Sequence, residues 1–263
     1  MAADPQSQVR LRDRLKDLFS RIPVILSPNR SSRRGASVKL AVVHTTESSD
    51  TSFDAIVNYF RRSSSQVSSH YVVDALAPKG ELWTRTTQMV PEPEKAWTQR
   101  SANPVAVSYE LIGRASRTRA EWLGKYRTQL ETTAALVAED TLQYGLPVRI
   151  ALPGVVGHVH LARLGFPNTH TDPGVGFPWD VFLDAVRRYQ ELGTKVERDV
   201  VKVKPGSCLP AGIYRIPKPW WQHAAWLLSG KTTKRPSTSP ANIGAAWPGF
   251  WPWFRCRFLG GKH

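Results

Sequence analysis

Val38-Lys39-Leu40-Ala41-Val42-Val43-His44 is a short apolar run that ends on a histidine. Upstream lies segment 27–37, rich in Ser, Pro, Arg and Gly, so the run reads as a buried strand entered from a turn-forming linker. Thr51 to Arg62 then sets Phe53, Ile56, Val57 and Phe60 on one helical face, with Asp50 or Ser52 as the cap. Ser69 to Asp74 reads as a strand, Lys79-Gly80 as a turn, and Glu81 to Arg85 as its hairpin partner. Val105 to Ile112 is a buried strand closed by Gly113, and Lys125 to Tyr144 a long helix with Leu130, Ala134, Val137 and Leu142 inward, stopped by Gly145 and Pro147. After the apolar run Ile150 to Val156, a last amphipathic helix covers Asp180 to Leu192 and ends near Gly193. This order predicts an α/β domain, a central mixed β-sheet flanked by helices, over residues 37–192. A basic N-terminal extension with linker (1–36) and a basic, Trp-rich C-terminal region (193–263) flank it.

The charge follows the same division. Residues 1–37 hold eight Lys/Arg against three Asp/Glu, residues 38–190 sixteen against fifteen, and residues 191–263 twelve against three, within a net charge of +15. A near-neutral core with basic ends argues against a nucleic-acid-binding core and points the tails at an anionic partner such as wall polymer or a membrane surface. No apolar stretch reaches the length of a membrane-spanning helix. The N-terminus lacks the basic start and continuous apolar stretch of a secretory signal, because charged residues interrupt Leu11 to Leu26. The two cysteines, Cys208 and Cys256, form either one disulfide or two free thiols.

The chemistry-bearing residues cluster at the ends of predicted strands. His44 sits where the first strand leaves the sheet, Gly157-His158-Val159-His160 follows the run ending at Val156, and Thr169-His170-Thr171-Asp172-Pro173-Gly174 comes next. Strand ends on one rim are where open α/β sheets put their sites. A hydrolytic zinc needs three protein ligands and one open position, and His44, His158 and Asp172 fit that inventory. His160 lies two residues from His158, and His170 two from Asp172, so in extended chain each pair faces the same way and a one-step alternative stays open. Glu110 within a buried strand calls for a reason, since an unpaired buried carboxylate costs several kcal/mol.

These residues resemble the type 2 N-acetylmuramoyl-L-alanine amidases, relatives of peptidoglycan recognition proteins and common among phage endolysins. The resemblance runs from about Val38 to Tyr189. Val42-Val43-His44-Thr45-Thr46, Ser69 to Asp74, Ala96-Trp97, Val107 to Gly113, Gly157-His158, and Thr171-Asp172-Pro173-Gly174 with Phe177 and Trp179 carry it. It implies one zinc ion per chain on His44, His158 and Asp172, with Glu110 as general base. His160 then falls to the cleft or behind the donors as a residue that supports them, and the resemblance places Trp97, Thr98, His70, His160 and Thr171 around the substrate, with His70 more packed than ligating. It also implies cleavage of the amide between N-acetylmuramic acid and L-alanine of the stem peptide.

Three positions depart from the family pattern. His170 stands where a lysine often steadies the oxyanion; held cationic by Asp172 or by zinc-bound hydroxide, it would do the same work and lose it at alkaline pH. Ser69 replaces a tyrosine found in some branches, which increases reliance on Glu110. Thr98 stands where a histidine is frequent.

The ends are read by composition. Leu11, Leu15, Leu18 and Phe19 at helical spacing with Arg10, Arg12, Arg14 and Lys16 form a short basic amphipathic helix that docks on the core or on an anionic surface. Trp220, Trp221, Trp226, Trp247, Trp251 and Trp253, interleaved with cations, suit a wall-targeting segment. The expectation is a monomeric phage endolysin, made in the host cytoplasm and reaching peptidoglycan after holin-type release or on the virion, with no specific nucleic acid. A bacterial autolysin and a non-catalytic peptidoglycan-binding protein are the alternatives.

Overall fold

A computed structural model of the chain describes residues 13–15 and 17–201, with side chains of the last helix described through Leu192. Two compact units divide the chain, Met1–Thr194 and Lys195–His263. Everything below concerns the first; of the second, only helical backbone at 195–201 is described. Cys208, Cys256, the C-terminal tryptophans, and Arg10, Leu11, Arg12 and Lys16 lie outside the described residues.

In chain order the elements are β1 (Arg30–Ser32), β2 (Leu40–Thr45), α1 (Phe53–Phe60), β3 (Tyr71–Val73), β4 (Thr86–Gln88), β5 (Glu94–Ala96), β6 (Ala106–Leu111), α2 (Arg119–Leu123), α3 (Arg127–Tyr144), β7 (Gly154–Gly157) and α4 (Trp179–Val201). The main sheet runs β4-β3-β6-β2-β7, and β1 pairs separately with β5. Only β3–β4 is antiparallel in the main sheet; β3–β6, β6–β2 and β2–β7 are parallel, so the expected mixed sheet is what forms.

Side-chain alternation splits the sheet into unequal faces. Ala41, Val43, Val107, Tyr109, Leu111 and Val155 point into a large core with Phe53 and Val57 of α1, Leu130, Ala134 and Val137 of α3, and Phe182 and Val186 of α4. Leu40, Val42, Ala106 and Val156 point the other way, into a smaller cluster with Ala102 and Leu161, against which Val105, Ile150, Leu164 and Phe166 pack half-buried. The helices thus cover one face, and the other is left thinly covered toward the C-terminal strand ends.

Local signals set the element ends. Thr118 and Glu121 form a capping box that starts α2, a helix the apolar periodicity does not announce. Gly145, at φ 63°, ends α3 in the left-handed conformation that costs glycine least. Ser52 caps α1 without a side-chain bond to the helix, its hydroxyl being 2.8 Å from that of Ser49, and Asp50, the other candidate, is engaged by Arg117, Lys125 and Tyr126.

Four expectations are corrected. The partner of β3 is Thr86–Gln88, not 81–85: the Lys79-Gly80 turn is present and the Arg85 carbonyl still accepts the Asp74 N–H at 2.8 Å, but Trp83 is drawn onto the Arg14 carbonyl. Leu142 is 37% exposed while Thr141 is buried, since α3 is held between sheet and α4 and its inward surface is wider than one apolar stripe. The last helix continues past Gly193 to Val201, a single helical glycine costing only about 1 kcal/mol.

The fourth concerns segment 27–37. Ser27, Asn29 and Arg33 are buried, residues 30–32 form β1, and the Ile25 and Ser27 amides bond to the carbonyls of Gln88, the last residue of β4, and of Met89 just beyond it. Arg33 donates to the carbonyls of Glu92, Asn103, Pro104 and Ala106, tying the segment to β5 and β6. A Ser/Arg-rich stretch reads as solvated because sequence does not show that carbonyls elsewhere need its donors. The described part of the N-terminal helix docks on the core, with Leu18 3% exposed and Leu15 and Phe19 packed against it.

Only a planar fork serves four carbonyls at once. Arg33→Lys should therefore destabilise the fold by about 2–4 kcal/mol, as two or more buried acceptors lose partners. The check is the midpoint shift in urea denaturation.

Candidate metal centre

Register brings the site together. His44 lies opposite Glu110 across the β2–β6 pair, and Val43 opposite Gly157 across β2–β7, so His158 begins its 3₁₀ turn beside His44. Paired residues on parallel strands project to the same side, here the thinly covered one. Gly157 is required: a Cβ there would sit 2.6 Å from Pro173 Cδ and 2.8 Å from the Trp179 ring. The returning loop delivers Asp172, whose carbonyl accepts the Val159 N–H at 2.9 Å.

His44 Nδ1 lies 3.1 Å from both His158 Nδ1 and Asp172 Oδ2, and His158 Nδ1 3.1 Å from Asp172 Oδ1. All three residues are buried. Two facing Nδ1 atoms share at most one proton, and the carboxylate brings only acceptors, so the triangle presents lone pairs to a common centre. A tetrahedral zinc with bonds near 2.0–2.1 Å spaces its ligand atoms by roughly 3.3 Å, and the donor set fits it. Among the described residues this is the group of His, Cys, Asp or Glu side chains placed to hold a metal ion.

The electrostatics are consistent with a cation's seat. Burial works to raise the Asp172 carboxyl, but hydrogen bonds and charge from His158 and His44 outweigh it and hold the group far below its ordinary range. Burial lowers His158, against the hydrogen bond from Asp172. Burial, then the like charges of Asp172 and Glu47, pushes Glu110 up to about 8. A carboxyl group whose proton affinity lies near neutrality is suited to taking and giving a proton.

The remaining expected residues divide. His170 stacks on His158 with ring centroids 4.3 Å apart, its Nδ1 3.9 Å from Asp172. Its pKa is lowered, first by burial and then by His158, more than Asp172 raises it. Asp172 by itself therefore does not hold His170 cationic: the shift runs the other way.

His70 is fully buried, accepts the Ser108 N–H at 3.0 Å and lies 3.1 Å from the Glu94 carbonyl, while burial brings it down to about 3. It is a neutral interior group, and the expected substrate contact is corrected. His160 accepts the Gly157 N–H at 2.9 Å and packs on Trp179, so it braces the turn before His158. The Thr98 hydroxyl bonds to the Ser68 carbonyl, the Trp97 indole to Ser31, and Thr171 is exposed beside Asp172.

Three residues go unnoticed in the sequence. Glu47, at φ 52°, accepts from Thr45 Oγ1 and the Ala115 amide, joining the loops that leave β2 and β6. Arg100, exposed at φ 50°, acts on His170 by charge. Asn168 bonds to both sides of the 158–172 loop. None has a motif; their partners come from distant segments or from turns that composition does not encode.

With this geometry in place, a family model described as N-acetylmuramoyl-L-alanine amidase matches residues 34–175, a span that holds all three donors and Glu110. The chain belongs to the N-acetylmuramoyl-L-alanine amidase family. It is 27% identical over 154 residues to N-acetylmuramoyl-L-alanine amidase AmiD of Escherichia coli (strain K12), covering 54% of this chain and 51% of that protein. The chain thus spans about half the length of this curated relative. Among solved structures, Staphylococcus aureus hydrolase AmiA in complex with its ligand aligns with TM-score 0.54 at 16% identity, over 66% of this chain and 85% of that one. A crystal structure of AmpD aligns with TM-score 0.47 at 20% identity, over 64% and 95%. The likeness to AmiA is one of fold.

Replacing His44, His158 or Asp172 by Ala leaves two donors. Each variant should lose stoichiometric zinc on gel filtration, measured by atomic emission, while circular dichroism shows a folded domain.

Proposed function

We propose that this chain is a zinc-dependent peptidoglycan hydrolase that cuts the amide between N-acetylmuramic acid and L-alanine of the stem peptide. The observation that carries the reading is the buried triangle of His44, His158 and Asp172 donors with Glu110 in register beside it. Family membership supports the same reaction.

His44, His158 and Asp172 would hold the ion. Zinc so held would make its water far more acidic and polarise the scissile carbonyl. Glu110 takes the proton from the attacking water and returns it to the departing alanine amine. The raised pKa of its carboxyl suits the second half of that transfer, and the thin cover on this face leaves the strand ends open to a glycan strand with its peptide. His170, exposed and stacked on His158, stands beside the donors on the solvent side. A non-catalytic binder would have no use for three converging donors beside a carboxyl group of near-neutral pKa.

The narrower reading is a phage endolysin that acts on the wall after release from the host cytoplasm. Its support is the charge distribution: basic ends of +5 and +9 on a core of +1 suit contact with anionic wall polymer or membrane. A wall-remodelling autolysin would use the same site.

Digestion of purified peptidoglycan should expose new N-terminal alanine, and chelation should stop it; no new alanine amines, or release indifferent to chelator, would overturn the reading. Glu110→Gln should keep zinc and lower kcat by about 10²–10⁴.

A further inference from the structure

The loop between His158 and Asp172 contains two short 3₁₀ turns and no longer element, yet it must return Asp172 to within hydrogen-bonding distance of His158. Two cross-links close it. One is the bond from the Val159 N–H to the Asp172 carbonyl. The other is a side chain: half-buried Asn168 donates through Nδ2 to the His158 carbonyl at 2.8 Å and to the His170 carbonyl at 3.3 Å, and its Oδ1 accepts the His170 N–H at 3.0 Å. One planar amide thus fixes the backbone of one donor residue and of the residue two before another.

From this geometry we infer that Asn168 is a positioning residue that sets the affinity of the centre for its metal. The inference rests on the zinc reading above. A site built from donors on separate segments must hold those segments still before the ion arrives, and residues that orient ligands typically change affinity 10- to 100-fold when replaced. Asn168 touches neither donor side chain. It acts through the main chain, by keeping the His158 turn and the 170–172 segment at one separation.

The chemistry of the amide makes the idea separable from a local role. Asparagine often accepts from an amide two residues on, and that turn needs only the Oδ1 acceptor. Aspartate supplies this acceptor but has no N–H for the two carbonyls, and would set a carboxylate against them. If Asn168 shapes only the 168–170 turn, Asn168→Asp should behave as wild type and Asn168→Ala should be worse. If it joins the two segments, both variants fail and Asn168→Asp fails more.

Zinc affinity of the full chain and of both variants, measured by competition with a chromophoric chelator, decides between these. We expect weakening of about 10-fold for Asn168→Ala and towards 100-fold for Asn168→Asp, with activity recovered at saturating zinc and metal-free melting temperatures close to wild type. Equal affinities in all three, or Asn168→Asp matching wild type, would overturn the inference. Large loss of metal-free melting temperature with unchanged zinc affinity would assign Asn168 to fold stability instead. A wild-type chain that takes up no zinc would bring down the metal reading itself, an outcome distinct from the others.

Discussion

The parallel register of β2 between β6 and β7 is the constraint on which the site depends. It sets His44 opposite Glu110 and leads Gly157 past Val43, so a donor, a proton-carrying carboxyl group and a second donor leave the sheet at one end and on one side. A slip of one residue in either pairing would turn that strand's set of side chains to the helical face. The large core forbids the slip: Ala41, Val43, Val107, Tyr109 and Leu111 are all committed to it. Packing on one face thereby fixes chemistry on the other.

Concentrating the helices on one side has a second consequence. The thin face has only a small cluster around Leu40, Val42, Ala106 and Val156, and below the strand ends it is completed by polar groups rather than apolar ones. Arg33, His70, Ser108 and Thr98 form a buried network there in which the guanidinium meets four carbonyls and the imidazole stays neutral. Such a floor is stable only when each donor finds its acceptor. That explains why the stretch before β2 belongs to the domain although its composition is that of a linker.

Much of the fold was legible in the chain. Runs such as Val38–Val43 and Val105–Ile112 announce buried strands, and the periodicity of 51–62 announces α1, because each segment buries one face or both and so carries a period. Features held by hydrogen bonds to distant partners were not legible. The start of β4 after Arg85, the packing of 27–33 and the inward Thr141 depend on partners far away in sequence. The site divides in the same way. His44, His158, Asp172 and Glu110 stand in recognisable local strings, whereas Glu47, Arg100 and Asn168 do not.

By itself, then, the sequence determined which residue types were available for metal and proton chemistry, and that they lie at the ends of buried strands. It could not decide between the members of the pairs His158/His160 and His170/Asp172, because extended chain turns residues two apart to the same side. Tertiary structure separated them. The 3₁₀ turn that begins at His158 breaks the two-residue period, sending His158 toward His44 and His160 back onto Gly157 and Trp179. The returning loop seats Asp172 between the two imidazoles and leaves His170 stacked outside, with its pKa lowered against the pull of Asp172. Burial and neighbouring charge, which set that direction, exist only once the chain has folded.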